Sequence, residues 1–185
     1  MPAATPSSRC PAELTAAIRD AVAQRGDWAQ TAGQVAAALR GRLPGPDVLT
    51  PEQRRGDPAG YRSHLLHTEP DGSFSVVGVV WRPGQVTPIH DHVAWCVAAV
   101  LQGTEHEERF SLAPGGGALE PAGTAASEPG EVTGFAPPGD IHRVRARGGV
   151  TVALHVYGAD IARLGSSVRR VYRLPVRTPA GLPGR

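Results

Sequence analysis

The most informative segment of this 185-residue sequence is Thr87-Pro88-Ile89-His90-Asp91-His92, which contains two histidines separated by one residue. Side chains on a β-strand alternate between two faces, so the two histidines share one face and the aspartate between them takes the other. Further along, the turn-forming segment Pro137-Pro138-Gly139-Asp140-Ile141-His142 can deliver a third imidazole from another strand. Three imidazoles with open positions form a site that binds both a metal and a ligand. The sequence therefore predicts a metal centre at His90, His92 and His142.

Short β-prone runs separated by glycine and proline turns, among them Gln102-Gly103 and Gly148-Gly149, surround these histidines. The pattern is typical of an antiparallel sandwich or barrel. The predicted strands are Tyr61 to His67, Ser73 to Trp81, Ala94 to Leu101, Thr104 to Phe110, Val132 to Phe135, Val150 to Tyr157 and Val168 to Leu174.

The N-terminal part of the sequence has a helical pattern instead. Leu14, Ile18 and Val22 recur at four-residue steps, which predicts an amphipathic helix, and a second one follows up to Arg40. A third, brief helix is predicted at Thr50-Pro51-Glu52-Gln53, where threonine and glutamine can form a capping box.

Length and composition predict a single domain over residues 1–185, because the chain is 41% hydrophobic and 19% charged. Within it we expect a helical segment at about 12–57, a β-barrel at about 60–174 and a loose tail at 175–185. A net charge of +2, with arginines spread along the chain, disfavours nucleic acid as a partner. The longest apolar run is shorter than a membrane span and the N-terminus lacks the apolar core of a signal peptide, so we expect a cytoplasmic protein without a membrane partner. The sequence does not predict an oligomeric state.

The spacing of the metal-binding segments resembles a known pair of motifs. Gly84, His90-x-His92, Cys96 and Gly103, followed by Pro137-x-Gly139-x-x-His142, resemble the two motifs of the cupin superfamily. Within that superfamily the sequence is similar to the thiol dioxygenases, which include cysteine dioxygenase and 3-mercaptopropionate dioxygenase.

This resemblance covers Tyr61 to Tyr172 and implies both a fold and an activity. The fold is a mainly β cupin barrel, a double-stranded β-helix, preceded by short α-helices. The site is a mononuclear Fe(II) held by His90, His92 and His142. The activity is that of an oxidoreductase that uses O2 to convert a small thiol carboxylic acid, cysteine or 3-mercaptopropionate, to its sulfinic acid.

The presence of cysteine rather than a carboxylate at position 96 agrees with a thiol substrate. Other cupins have a carboxylate where this chain has Cys96, so the metal here keeps its full double positive charge and an open face for an anion. A thiolate suits that face, and its dioxygenation needs no external reductant.

The resemblance also assigns roles to His155, Tyr157 and Cys96. On the predicted strand Val150 to Tyr157 the odd positions face a polar cavity, and in the family the matching histidine and tyrosine form a hydrogen-bond relay near the iron. The family usually has serine where this chain has Ala153. Cys96 matches a cysteine that some cysteine dioxygenases join to the active-site tyrosine. A thioether to Tyr157 and a free buried thiol are therefore both open.

An arginine is expected to bind the substrate carboxylate, because its planar fork matches two oxygens. The position at which cysteine dioxygenases have arginine is taken by Ser63. Tyr61 and Arg62, beside it, are candidates for substrate binding, although Arg62 faces the other way on a regular strand. Arg163 or Arg169 resembles the C-terminal arginine of 3-mercaptopropionate dioxygenases. Each arginine can also be a solvated surface charge.

Two other functions remain open at the level of sequence. One is a non-catalytic cupin that binds a metal or ligand as a sensor or partner module. The other is a cupin isomerase or hydrolase that uses Zn(II) or Mn(II), because three imidazoles accept several divalent ions.

Overall fold

The computed structural model describes residues 9–177. Helices make up its N-terminal part, and two of them begin with a capping box. At Asp27 and Thr50 the side chain accepts a hydrogen bond from the backbone N–H three residues on, and the glutamine there returns one. The helix predicted at Thr50 is present. The helical elements are α1 (Ala12–Ala23), α2 (Trp28–Leu39), a 3-10 turn (Pro46–Val48) and α3 (Pro51–Arg54).

The remainder of the described chain is a curled antiparallel sheet of eight strands. The predicted fold class, mainly β and preceded by short α-helices, is confirmed. The strands are β1 (Arg62–Thr68), β2 (Ser75–Trp81), β3 (His90–His92), β4 (Cys96–Leu112), β5 (Leu119–Ser127), β6 (Val132–Phe135), β7 (His142–Tyr157) and β8 (Val168–Val171), with a short helix α4 (Ile161–Leu164) between the last two.

Two predicted turns are irregularities of pairing, such as β-bulges, inside long strands. The turn expected at Gln102-Gly103 is a shift of register within β4, and the one expected at Gly148-Gly149 lies within β7. Gly103 has φ +76° and Gly148 has φ +77°, values that glycine adopts without strain. A bulge uses the same residue as a turn but lets the pairing continue.

Strands β4 and β7 pair along much of their lengths and position residues of the site. Their register runs from Cys96 opposite Tyr157 to Arg109 opposite His142. β7 also pairs with β2 and, through His142, with His90 of β3. The long pairing fixes which residues of distant segments meet.

Alternation along the central strands separates two buried faces. Val97 and Val156 lie on the face that packs against Leu14, Ile18 and other residues of α1 and α2. The other face carries a second buried cluster: Val77, Val79, Trp81, Cys96, Ala146, Ala153 and Tyr157. All seven residues of β2 are buried. The helices therefore cover the outside of the sheet and leave its inner face for the site.

The end of the described chain runs beside β5. The Leu119 N–H donates to the carbonyl oxygen of Pro175, and the Arg177 N–H donates to that of Leu119. The rest of the predicted loose tail, from residue 178, lies outside the described residues. None of the helices within residues 9–177 has the length and apolar character needed to cross a membrane.

Candidate metal centre

Strands β3 and β7 bring the three predicted metal ligands to one point. One ring nitrogen from each of His90, His92 and His142 lies within 4.8 Å of the other two. The centroids of the three rings are 4.8 to 5.0 Å apart. All three residues are buried. The convergence predicted from sequence is therefore present in the structure.

Each of the three rings is oriented by a hydrogen bond at Nδ1. The partners are all acceptors, so each ring donates there: His90 to the Pro88 carbonyl oxygen (2.9 Å), His92 to Asp140 Oδ2 (3.0 Å) and His142 to Glu107 Oε1 (2.7 Å). A neutral imidazole that donates from Nδ1 has its lone pair on Nε2. Histidine ligands of metals are typically oriented in this way.

Burial keeps His90 and His92 in the neutral form that binds metals. It lowers the pKa of His90 to about 4 and also lowers the pKa of His92. The carboxyl groups that accept hydrogen bonds from His92 and His142 favour their charged form instead. Burial alone raises the pKa values of Asp140 and Glu107, but the hydrogen bonds from His92 and from His142 bring both below their usual range. Neutral imidazoles backed by carboxylates are suited to a cation.

Asp91, between two of the histidines, faces away from them and anchors β3. It is 1% exposed, and its Oδ2 accepts hydrogen bonds from the Tyr172 hydroxyl (2.8 Å) and the Arg169 guanidinium. Because Asp91 alternates with His90 and His92, this anchor fixes the strand without occupying the metal-facing side.

A cavity of about 190 Å³ opens at the histidine cluster. His90, His92 and His142 line it together with residues of β1 and β2. The other residues that line it are Tyr61, Ser63, Val77, Val79, Trp81, Thr87, Val144, His155, Tyr157, Ile161, Gly165, Ser166, Ser167 and Val168.

His155, Tyr157 and Cys96 are brought together beside the cluster. His155 Nδ1 and the Tyr157 hydroxyl are 2.9 Å apart, and the ring of Tyr157 is 6.0 Å from that of His92. Cys96 is the cross-strand partner of Tyr157. Burial lowers the pKa of His155 to about 3 and raises the pKa values of Cys96 and Tyr157 well above the usual ones. The roles that the resemblance gives them remain predictions.

The predicted substrate-binding residues do not all reach the cavity. Tyr61 lines it. Ser63 of β1 also lines the cavity, so its neighbour Arg62 points to the other face of the strand, where it is hydrogen-bonded to Asp57. Arg169 is hydrogen-bonded to Asp91, behind the histidines, and Arg163 is exposed on α4. Among residues 9–177, no arginine lines this cavity. The expected carboxylate clamp at Arg62, Arg163 or Arg169 is not formed there.

Trp81 and Glu107 are among the residues of the site that were not predicted from the sequence. Trp81 follows Val77 and Val79 on the inner face of β2, so the alternation of that strand could have revealed it. Glu107 could not have been found in this way. Its contact with His142 depends on the pairing of β4 with β7, including the bulges.

Comparison with known proteins finds solved structures of low similarity to this chain. No protein-family model matches the chain. A cupin superfamily protein from Desulfitobacterium hafniense has 15% identity and a TM-score of 0.46, over 64% of this chain and 90% of that one. An uncharacterised protein with a double-stranded β-helix domain from Klebsiella pneumoniae has 16% identity and a TM-score of 0.48, over 64% and 90%. Oxalate oxidase has 20% identity and a TM-score of 0.45, over 56% of this chain and 53% of its own. Similarities this low carry no argument about activity or ligand.

Proposed function

We propose that this protein is an Fe(II)-dependent thiol dioxygenase that converts a small thiol to its sulfinic acid. The observation that carries the proposal is the buried three-histidine cluster, open to a cavity and held at all three Nδ1 atoms. The reaction adds both oxygen atoms of O2 to one sulfur atom, so the electrons balance without an external reductant. Cysteine and 3-mercaptopropionate, the substrates that the sequence resemblance implies, are the first candidates.

The residues at the cluster fit a divalent cation. His90, His92 and His142 would hold it through Nε2, since among residues 9–177 no protein hydrogen bond engages that atom in any of them. The cluster of described ligand atoms includes no carboxylate and no thiol. When bound, Fe(II) supplies an open face for a thiolate and the redox chemistry that O2 requires.

The other residues of the site orient the substrate and exclude water. Val77, Val79 and Val144 give the cavity an apolar wall, which limits the water that can reach a reactive sulfur atom. The Tyr157 hydroxyl is held in place by His155, and it can donate a hydrogen bond to a group in the cavity when His155 Nδ1 carries the ring proton and donates to the hydroxyl oxygen. We propose that this pair positions the thiol and O2 relative to each other.

Oxygen consumption by the iron-loaded protein tests the reaction. We expect uptake with at least one of cysteine, 3-mercaptopropionate and cysteamine, with one sulfinate formed per O2 consumed. Mass spectrometry of the product, with 18O2, checks that both oxygen atoms come from O2. The absence of uptake with all three thiols would contradict a dioxygenase acting on small thiols of this kind.

A histidine variant tests the metal site separately from the reaction. We expect His142→Ala to lose iron retention and activity together, because it removes one of three ligands. His106→Ala is the matched control, since His106 lies on β4 but does not line the cavity. Equal metal content in the two variants would place the metal elsewhere.

A second candidate function follows from the ligand set, because three imidazoles also bind Zn(II) or Mn(II). The protein would then be a cupin isomerase or hydrolase, or a non-catalytic metal-binding cupin. Metal analysis of the purified protein distinguishes these cases. Zinc or manganese at full occupancy, with no gain of oxygen uptake after exchange for iron, supports this second function.

A further inference from the structure

We propose that the substrate thiol carries an uncharged tail with an amide or hydroxyl group, and that Trp81 and His155 bind this tail. The inference rests on the proposed function, and it departs from the carboxylic acids that the sequence resemblance implies. Three observations carry it: the uncharged wall of the cavity, the balance of charges around the metal centre, and two buried nitrogen atoms without partners.

The wall of the cavity offers no charge to a substrate carboxylate. Of the described residues that line it, none is arginine, aspartate or glutamate, and the chain contains no lysine. Its polar side chains carry hydroxyls, as in Tyr61, Ser63 and Thr87, or aromatic ring nitrogens, as in Trp81 and His155. A carboxylate that leaves water for such a wall loses its hydration without gaining an ion pair.

The charges behind the histidines balance those of a metal and a thiolate. Asp91 is paired with Arg169, and Glu107 with Arg109, so each pair is neutral. Asp140, behind His92, has no arginine partner among residues 9–177. A dication held by the three imidazoles would therefore be balanced by Asp140 and one thiolate. A carboxylate in the substrate tail would add a negative charge that nothing in the described site compensates.

Two buried nitrogen atoms at the cavity have no hydrogen-bond partner within residues 9–177. They are Trp81 Nε1 and His155 Nε2, and the centroids of the two rings are 5.9 Å apart. Trp81 is 2% exposed and His155 is 9% exposed, and both line the cavity. Buried polar groups in proteins are nearly always hydrogen-bonded, so these two indicate a ligand group or a bound water molecule.

The chemistry of the two nitrogen atoms favours a group that both accepts and donates. The indole N–H of Trp81 is a donor only and needs an acceptor oxygen. His155 presents an acceptor or a donor at Nε2, according to which nitrogen of its ring carries the proton in the hydrogen bond to Tyr157. An amide or a hydroxyl satisfies Trp81 with either tautomer of His155, whereas a carboxylate satisfies only one of them.

A matched pair of ligands tests the inference on the iron-loaded protein. The probes are 3-mercaptopropionamide and 3-mercaptopropionate, which have the same length and nearly the same shape but differ in charge. We expect anaerobic isothermal titration at pH 7.5 to give a Kd for the amide that is lower by ~10-fold or more. An equal or lower Kd for the acid would overturn the inference.

A variant of Trp81 tests which atom recognises the tail. Trp81→Phe keeps an aromatic ring but removes the N–H, so the amide should bind ~10-fold more weakly. Propane-1-thiol has no acceptor in its tail, and its affinity should not change. If both ligands weaken equally, the N–H does not recognise the tail, and thermal unfolding of the variant shows whether the core was disturbed.

A second variant tests the role of charge without altering the core. Ser63 lines the cavity and is exposed, so Ser63→Arg places a guanidinium at its rim. We expect this change to strengthen binding of the acid and reverse the preference, while Ser63→Gln retains the preference for the amide. An unchanged preference in Ser63→Arg would count against a charge-based selection.

Binding and turnover distinguish the two proposals. If the protein prefers the amide in titration but consumes no O2 with it, the proposed function fails and the inference about the tail stands. If the acid is bound more tightly and is oxidised, the function stands and the inference fails.

Discussion

The Asp140 carboxylate holds His92 at two points, because its Oδ2 accepts from both the backbone N–H and Nδ1 of that residue (3.0 Å each). The amide in Asp140→Asn accepts more weakly and brings no negative charge, so we expect the metal affinity to fall by about 10- to 100-fold. Isothermal titration with Fe(II) or Co(II) measures this change.

Asp47→Asn is the control for that variant, because Asp47 is exposed and distant in sequence from the site. It should bind the metal with the affinity of the unmodified protein. If Asp140→Asn does the same, the hydrogen bond to His92 does not contribute to metal binding.

Cys96 should be inert in the folded protein. It is 0% exposed, and burial raises the pKa of its thiol well above the usual value, so the reactive thiolate does not form at neutral pH. We expect iodoacetamide not to modify Cys96 before unfolding, as read by peptide mass spectrometry. Rapid alkylation of the native protein at Cys96 would contradict the burial described above.

The same experiment after unfolding distinguishes the two open states of Cys96. A free thiol is then alkylated. A thioether to Tyr157, which lies opposite Cys96 in the β4 and β7 ladder, is not alkylated and lowers the intact mass by two hydrogen atoms.

At the level of elements, the residue that follows β7 has no room for a side chain. A Cβ on Gly158 would lie 2.1 Å from Trp95 Nε1, and the Gly158 N–H donates to the Trp95 carbonyl oxygen. We expect Gly158→Ala to lower the free energy of unfolding by about 1–3 kcal/mol or more, because Trp95 is packed in the core. Urea denaturation measures the loss.

Gly149→Ala provides the comparison for this effect. A Cβ there meets nothing within 4 Å, so we expect a change within about 0.5 kcal/mol. Similar losses in both variants would mean that the contact with Trp95 is not the cause.

Strand periodicity predicted part of the fold and of the site correctly. Alternation placed His90 and His92 on one face, and His155 and Tyr157 on the cavity side of their strand. The predicted turns at Gln102-Gly103 and Gly148-Gly149 were wrong, because glycine occurs both in turns and in irregularities inside a continuous strand. Strand β5, Leu119–Ser127, was missed because its alanine, glycine and proline content gives little β propensity. Its partner β4 determines its conformation.

The contacts that complete the site depend on pairing between distant segments, which a single sequence does not reveal. Glu107 reaches His142 only in the observed register of β4 and β7. The arginines expected at the cavity were placed by resemblance, yet Arg62 is directed to Asp57 and Arg169 to Asp91. Local pattern specifies the face of a residue, and the tertiary structure specifies its partner.

At the level of the whole molecule, one buried carboxyl group should make stability depend on pH. Burial, with a smaller contribution from Glu107, raises the pKa of Glu105 to about 8. The folded state therefore keeps a proton that the unfolded chain releases above the ordinary value of 4.5. Stability falls as the pH rises between these two values, by about 1.4 kcal/mol per pH unit, and this loss levels off above the folded pKa.

The interval from pH 6.5 to 7.5 isolates this effect in the metal-free protein. His90, His92 and His155 have lowered pKa values, so they destabilise the fold only as the pH drops below 6.5. We expect Glu105→Gln to remove most of the decrease in stability across the interval, measured by urea denaturation at both pH values. Glu13→Gln, at an exposed position, should retain it. The same decrease in both variants would assign it to another group.

The three residues of β3 have their main backbone partners on β8, near the end of the described chain, and only one pair with β7. Asp91 adds side-chain bonds to Arg169 and Tyr172 in the same region. Ion binding by His90 and His92 would therefore also restrain local opening of this terminal strand. The amides of Val168–Val171 should exchange with deuterium more slowly once the ion is bound. Metal binding would then also protect this end of the barrel from proteases.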